Sequence, residues 1–253
     1  MAVKAPPPPP APIYSWTGFY IGANLGGGWG SRNVDYTPND ASSAILVFGF
    51  PLSSVSFDTS GIIGGLQLGY NYQFNRNWLV GTETDFDGSG MRGSGSGSSS
   101  KGGGTVWPVA ERVNWFGTVR ARLGYLPTSN LLAYVTGGFA YGRVEQSGDL
   151  SGPFIFQSIS APFTSVNCNG GTCYAGSSSG VNVGWTLGGG LEYALWQQWT
   201  VRAEHLYVSL ESWGVTEAAL ATLSGFPTPS SFNANFGRTN FNVVRFGLNY
   251  QFH

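Results

Sequence analysis

The sequence is nearly without lysine. Lys4 and Lys101 are the only two in 253 residues, and with no basic stripe along the chain a nucleic-acid partner is not expected. Charge of either sign is scarce, at 10% of residues against roughly a quarter in soluble domains. No run of about 18 apolar residues exists to make a membrane-spanning helix. The charge-free stretch Leu123 to Gly142 is broken by Pro127 and several glycines, which a helix tolerates badly. The opening residues, MAVKAPPPPPAP, lack the apolar core of a secretory signal, so the chain is read as a mature or recombinant form of an exported protein.

What is present is glycine, aromatic residues and a period of two. There are 39 glycines, and 15% of residues are aromatic. The clearest stretch is GIIGGLQLGYNYQFNRNWLVGTETDFD, residues 61–87. Ile62, Leu66, Leu68, Tyr70, Tyr72 and Phe74 fall on one side, and Gly65, Gln67, Gly69, Asn71 and Gln73 on the other. After Asn75-Arg76-Asn77 the alternation resumes, with Trp78, Val80 and Phe86 opposite Glu83, Asp85 and Asp87. A period of two is the signature of a strand, and the polar triplet between the runs marks a tight hairpin. Aromatics at strand ends, with glycine, amide and carboxylate on the other face, are the pattern of outer-membrane barrels.

The same alternation recurs over 16–30, 114–125, 131–142, 181–194, 199–210 and 243–252. This gives an all-β fold: an eight-stranded antiparallel up-and-down transmembrane β-barrel, with strands joined alternately by long and short connections. Long loops are expected over 31–60, 88–112, 143–179 and after residue 210, facing the cell exterior; short turns face the periplasm. Residues 1–15 form a proline-rich leader and 16–253 the barrel. The leader is read either as a disordered segment or as a polyproline stand-off toward peptidoglycan. The Gly/Ser-rich segment 88–112 is expected to be a flexible loop. Its Gly88, Gly90 and Gly93 match a dinucleotide fingerprint by chance, since no helix can follow. One or two helical turns are expected over Glu217 to Leu223.

Parity turns nine charged residues inward: Glu83, Asp85, Asp87, Glu192 and Glu204 with Arg120, Arg122, Arg202 and Arg245. A barrel of this size has room for side chains and little else, so these are expected to interlock as a lumen-filling ion-pair network. Strand four is expected to turn Asn114 inward as well. An aromatic girdle is expected at the periplasmic ends from Trp16, Phe19, Tyr72, Phe74, Trp78, Tyr125, Tyr193, Trp199, Tyr250 and Phe252. Cys168 and Cys173 enclose four residues in the third long loop and read as a disulfide in an oxidising envelope. Two sulfurs without neighbouring histidine do not make a metal site, and neither a cofactor nor a catalytic residue is assigned. His205 and Ser209 share one face of strand seven, with Glu211 beyond, which is the set a lipid hydrolase would need. The loops hold apolar segments at 44–52 and 153–156, which either pack the loops together or offer a surface to a protein partner or second copy.

WTGFYIGANLGGGWG (16–30), GGLQLGYNYQF (64–74), LLAYVTGGFAYG (131–142), AEHLYVSL (203–210) and FNVVRFGLNYQF (241–252) resemble the alphaproteobacterial small outer-membrane proteins of the Omp25/Omp31 type, often labelled porin family. The resemblance covers essentially the whole barrel. It implies an outer-membrane location, structural and surface roles, and lipid and lipopolysaccharide as surroundings. Two positions depart from the family pattern: His253 follows the terminal aromatic Phe252, and His205 stands where an aromatic is common. The functional expectation is a plugged, loop-displaying envelope protein, with a passive channel for small solutes as the alternative.

Overall fold

Wherever the chain alternates glycine or polar residues with apolar ones, it is strand. A computed structural model describes residues 14–40, 52–99, 104–152, 171–196, 198–211, 214–219 and 231–252. These form one antiparallel sheet of ten strands: β1 (Gly18–Pro38), β2 (Val55–Gln73), β3 (Trp78–Ser99), β4 (Thr105–Thr128), β5 (Leu131–Ser151), β6 (Thr172–Trp196), β7 (Trp199–Leu210), β8 (Val215–Ala219), β9 (Ser231–Asn235) and β10 (Thr239–Gln251). The expected count of eight is therefore corrected to ten.

The two additional strands have a structural reason. β1 to β6 run 19–25 residues each, about twice the 9–11 that cross a bilayer. β7 has 12 residues and β10 has 13, and both stop at one span. At the lower level β10 pairs with β7 and with β1, closing the sheet. Above it, β7 and β10 are gone, and their places are taken by the hairpin β8–β9, which pairs with β6 on one side and β1 on the other. The sheet thus closes twice, as two stacked rings that share six strands. Closure of the strand order is how barrels limit unpaired backbone; between β2 and β3 the pairing ends at Ser60 and Arg92.

Most of the expected loops become strand in the upper ring. Residues 31–38 belong to β1, 55–60 to β2, 143–151 to β5 and 172–179 to β6. The 88–112 segment is also corrected: through Ser99 it is β3, and from Thr105 it is β4. Its Gly/Ser repeat is itself a period of two. Ser94, Ser96 and Ser98 face out, while Gly93, Gly95 and Gly97 face in. A side chain at Gly97 would collide with the Trp107 indole of β4, so the glycines leave room for a neighbour's bulk. Residues 217–219 are strand β8 and not helix, and 220–223 lie outside the described residues.

The short turns follow local chemistry. Asn75 Oδ1 accepts from the Asn77 and Trp78 amides at 2.9 and 2.8 Å, an Asx turn that sets up the β2–β3 hairpin. One irregularity changes a face. Between Val113 and Trp115 the β4–β5 register shifts by one residue, a β-bulge. Asn114, expected inside, instead donates to half-exposed Glu145 at 2.7 Å.

Candidate functional site: the barrel lumen

The outer wall is apolar around the whole lower ring. Leu66, Leu187, Val135 and Phe246 are each 60% or more exposed, an arrangement that only lipid makes favourable. On β6 the outward apolar face runs from Val181 to Tyr193. Twelve strand steps at about 3.3 Å, tilted as barrel strands are, give a belt close to the 25 Å height typical of outer-membrane barrels.

Inside, β4 alone reads off a layered plug. From its lower end inward-facing Leu126 is followed by Arg122, Arg120 and Thr118, then Phe116 and Val113, then Glu111, then Val109 and Trp107. Each is the centre of a layer. The lowest is an apolar floor of Trp16, Leu79, Leu126, Leu132, Tyr134 and Ala194. Above the charged layer lies an apolar partition that includes Ile63, Met91, Phe116, Leu206 and Phe241. The Arg32–Glu111 pair follows, and an apolar cap built on Val34, Phe57, Trp107, Tyr174 and Phe232 closes the upper ring.

The structure brings all nine charged residues expected in the lumen into the one charged layer, and each is at most 3% exposed. Register pairs several directly: Glu83 stands opposite Arg120, Glu192 opposite Arg202 and Glu204 opposite Arg245. Arg120 ties the layer together, binding Glu204 and Asp85 at 2.8 Å each and Glu83 as well. Arg245 spans Asp85, Asp87 and Glu204 at 2.6–2.7 Å. Arg122 reaches Glu192 at 2.8 Å and lies over the Tyr134 ring at 3.9 Å. Arg202 binds Glu83 and donates to Gln67 at 2.8 Å. Such pairs are costly to desolvate and hold only when geometry and additional hydrogen bonds are good.

Neutral neighbours supply those bonds. Tyr20 donates to Glu83 and accepts from Arg122 at 2.7 Å. Tyr134 donates to Glu204 at 3.1 Å, and Thr200 and Asn249 both donate to Glu192. None of these was singled out from the sequence, although Tyr20, Tyr134 and Thr200 all sit on inward parity. Glycine supplies the space. Seven of the nine charged residues have a glycine opposite on a neighbouring strand: Gly69 at Glu83, Gly65 at Asp87, Gly138 at Arg120, Gly81 at Arg122, Gly247 at Arg202, Gly190 at Glu204 and Gly26 at Arg245. A side chain at Gly65 or Gly26 would strike Asp87 or Arg245.

The second buried pair was also missed. Arg32 and Glu111 both fall in segments expected to be loops, yet they meet inside the upper ring. Gln146 donates to Glu111 at 2.8 Å, and Thr239 does so at 3.3 Å.

Nine of the ten girdle aromatics lie on the outer wall. Trp78 and Tyr125 meet edge to face at 5.1 Å, as do Trp199 with Tyr250 and Tyr250 with Phe252. Phe19, Tyr72, Phe74 and Tyr193 are all about half exposed. Trp16 is the correction. It is 1% exposed and sits in the floor, its Nε1 donating to Ser129 O at 3.0 Å. Its even number places it on the inward parity of β1, and Gly18, at φ 146°, bends the chain under the barrel. Tyr14 follows it, donating to Gln251 at the lower end; the rest of the leader lies outside the described residues. A second aromatic band, not anticipated, tops the wall: Phe86 and Trp115 at 5.3 Å, Trp115 and Tyr141 at 6.1 Å, Trp185 and Tyr207 at 5.4 Å.

The hydrolase set does not assemble. Residues four apart on a strand are separated by about 13 Å, beyond hydrogen-bond reach for His205 and Ser209. His205 instead contacts Asn242 at 3.1 Å, and Glu211 pairs with Arg238 at 3.6 Å. Cys173 is buried and disulfide-bonded; Cys168, the other cysteine of the chain, lies outside the described residues. Of the apolar loop 44–52 only Leu52 is described, and it packs against the cap. Residues 153–156 lie outside. Among the described residues no cluster of metal-ligating side chains occurs.

A doubly closed antiparallel sheet with a lipid-compatible wall and a charged interior defines an outer-membrane β-barrel protein. The chain belongs to the outer membrane protein beta-barrel domain family, whose model matches residues 2–252. It is 36% identical over 249 residues to the 31 kDa outer-membrane immunogenic protein of Brucella melitensis, covering 98% of this chain and 89% of that protein. It is 28% identical over 204 residues to a 22 kDa outer membrane protein of Rhizobium leguminosarum bv. viciae, covering 81% and 69%. Among solved structures it is similar to the outer membrane protein OprG of Pseudomonas aeruginosa (11% identity, 95% and 99% covered, TM-score 0.45) and to Ail of Yersinia pestis (12%, 93% and 99%, TM-score 0.37). The protein resides in the bacterial outer membrane.

Proposed function

We propose that the lower ring, the eight strands β1–β7 and β10, crosses the membrane as a sealed cylinder. The upper ring stands outside the cell and displays the connecting loops as the protein's surface, while the short turns face the periplasm. The role is structural and surface-interacting, without catalysis. The observation that supports this reading best is the layered lumen. A solute would have to pass an apolar floor, a fully buried layer of interlocked arginines and carboxylates, and an apolar partition, all within one span. Opening that layer means separating several buried ion pairs together, which is far costlier than moving one side chain. Immunogenicity is carried in the name of the Brucella relative; an exposed upper ring is the surface on which such recognition would fall here.

A liposome-swelling assay with small sugars tests the sealed reading. Vesicles carrying the refolded protein should shrink and recover no faster than empty ones. Size-dependent sugar entry that tracks protein content would overturn it in favour of a passive channel.

A further inference from the structure

Just above the apolar belt, the outer face of β3–β6 carries a groove of about 650 Å³ whose lining includes Arg92, Ser94, Arg112, Glu145, Ser147 and Ser179. The chain has ten arginines, and five of them (Arg32, Arg120, Arg122, Arg202 and Arg245) are buried in the lumen. Of the five that remain, Arg92 and Arg112 line this groove and Arg143 lies at its lower edge. Arg76 is in a lower turn, and Arg238 pairs with Glu211. The clustering works against the sheet's own stability. Arg92 and Arg112 are direct cross-strand partners, and like charges directly opposite are destabilising. Both are exposed, and neither has a hydrogen-bond or ion-pair partner among the described residues. Arg143 sits beside them, donating to Ser179 at 2.8 Å. Two carboxylates share this outer face: Glu145, which stands opposite Arg112 and is engaged by Asn114 and Arg143, and Asp149, two residues beyond Ser147 on β5. Three arginines against these two carboxylates leave a net charge of +1.

The height of the groove is fixed by register. Arg143 is opposite Trp115 on one side and Val181 on the other, both at the top of the outward apolar face. The arginines therefore begin where the belt ends, at the level of the outer-leaflet headgroups. In this membrane that leaflet carries phosphorylated glycolipid. Arginine forks match phosphate oxygens in pairs, and a hydroxyl rim of serines suits sugar.

We propose that Arg92, Arg112 and Arg143 form a binding site for the phosphate groups of outer-leaflet lipopolysaccharide, held at the wall of the barrel by its lipid A moiety. This rests on the placement of the lower ring in the membrane, and it adds a specific lipid partner to that reading.

The test uses the full chain refolded in detergent, with folding and vesicle insertion scored first by heat-modifiable gel migration and protease protection. Affinity is then measured by thermophoresis for bisphosphorylated lipid A, for the same lipid A after enzymatic removal of its phosphates, and for inorganic phosphate. Expected is a preference of roughly tenfold or more for the phosphorylated lipid, most of it lost in Arg92→Ser/Arg112→Ser and kept in Arg76→Ser/Arg238→Ser. Equal affinity for the two lipids in the wild-type protein would overturn the proposal without needing any variant. So would an equal loss in both double variants, or binding of inorganic phosphate as tight as that of lipid A, which would mark a free-anion site. A protein that fails to insert would indict the membrane placement instead; one that inserts but does not discriminate indicts only the groove.

Discussion

The two rings share six strands and one sheet, yet their interiors are built from opposite materials. The lower lumen concentrates nine ionised side chains into one layer and gives each an oppositely charged partner. The upper chamber is apolar, and it buries a single acid of its own closing strands, Glu217, with neither oxygen hydrogen-bonded. On the proposed placement the lower ring excludes water while its wall is in lipid, and a rigid ionic layer resists breathing. The upper ring is closed by a single hairpin of two five-residue strands, and its cap is held mainly by packing. The burial of Glu217 raises its pKa from 4.5 to about 8, with the Asp149 carboxylate adding to the effect. The Tyr36 hydroxyl, facing it from β1, is also raised by burial and by Glu217. Gly148 of β5 leaves the space that the Glu217 carboxyl occupies.

The contrast can be broken from the lower side first. Replacing Arg120 by alanine removes one buried partner from each of Glu83, Asp85 and Glu204 and leaves more carboxylate than arginine in the layer. A loss of about 3–5 kcal/mol is expected in urea unfolding from vesicles, against a much smaller loss for exposed Arg238→Ala. Equal losses would mean the ionic layer is not cohesive.

The wall comes next. Leu187→Arg should cost about 2–4 kcal/mol at mid-belt, measured the same way. Thr186→Arg, on the opposite face, should fail differently, by overfilling a lumen in which Thr186 bonds Tyr207 O at 2.9 Å. Identical behaviour of the two would undo the assignment of faces.

The upper ring gives a smaller, pH-dependent effect. An acid whose folded pKa is raised contributes its stability fully below the unfolded value, and that stability is lost as pH rises toward the folded one. The upper ring should therefore weaken as pH rises from about 4.5 to about 8. Hydrogen exchange of the β8 amides would report it. Glu217→Gln should flatten the profile, and a profile unchanged by that substitution would remove Glu217 as its source. Tyr20→Phe should have an effect of about 1.5–3 kcal/mol or less, since it deletes one hydrogen bond to a charged group. An effect as large as that of Arg120→Ala would show that the tyrosine, not the arginine, organises the layer.

How much of this was legible depended on what each residue faces. Parity over 62–87, 115–125, 181–194, 199–210 and 243–252 was enough to separate the apolar wall from the nine lumen charges, because a lipid-facing wall and a water-free lumen impose opposite chemistry on alternate residues. Parity failed at Asn114, where a bulge inserts a residue. The girdle assignment failed at Trp16, where proximity to a strand end was weighed above even numbering. The upper ring was hidden for another reason. Gly has low strand propensity, and the run 93–98 becomes strand because β4 pairs with it and Trp107 fills the hollow at Gly97. That information lies in the neighbours and not in the segment. The hairpin β8–β9 is too short to show a period at all, and Arg32 and Glu111 could not be paired while both were assigned to loops.

The seal itself is most directly tested by single-channel recording of the folded protein in planar bilayers, with heat-modifiable migration confirming the fold of the same sample. Expected is a baseline without steady conductance steps in the wild-type protein. A stable, ohmic open level in folded wild-type protein would show that ions find a way through the arginine–carboxylate layer, and the account of a closed lumen would be wrong.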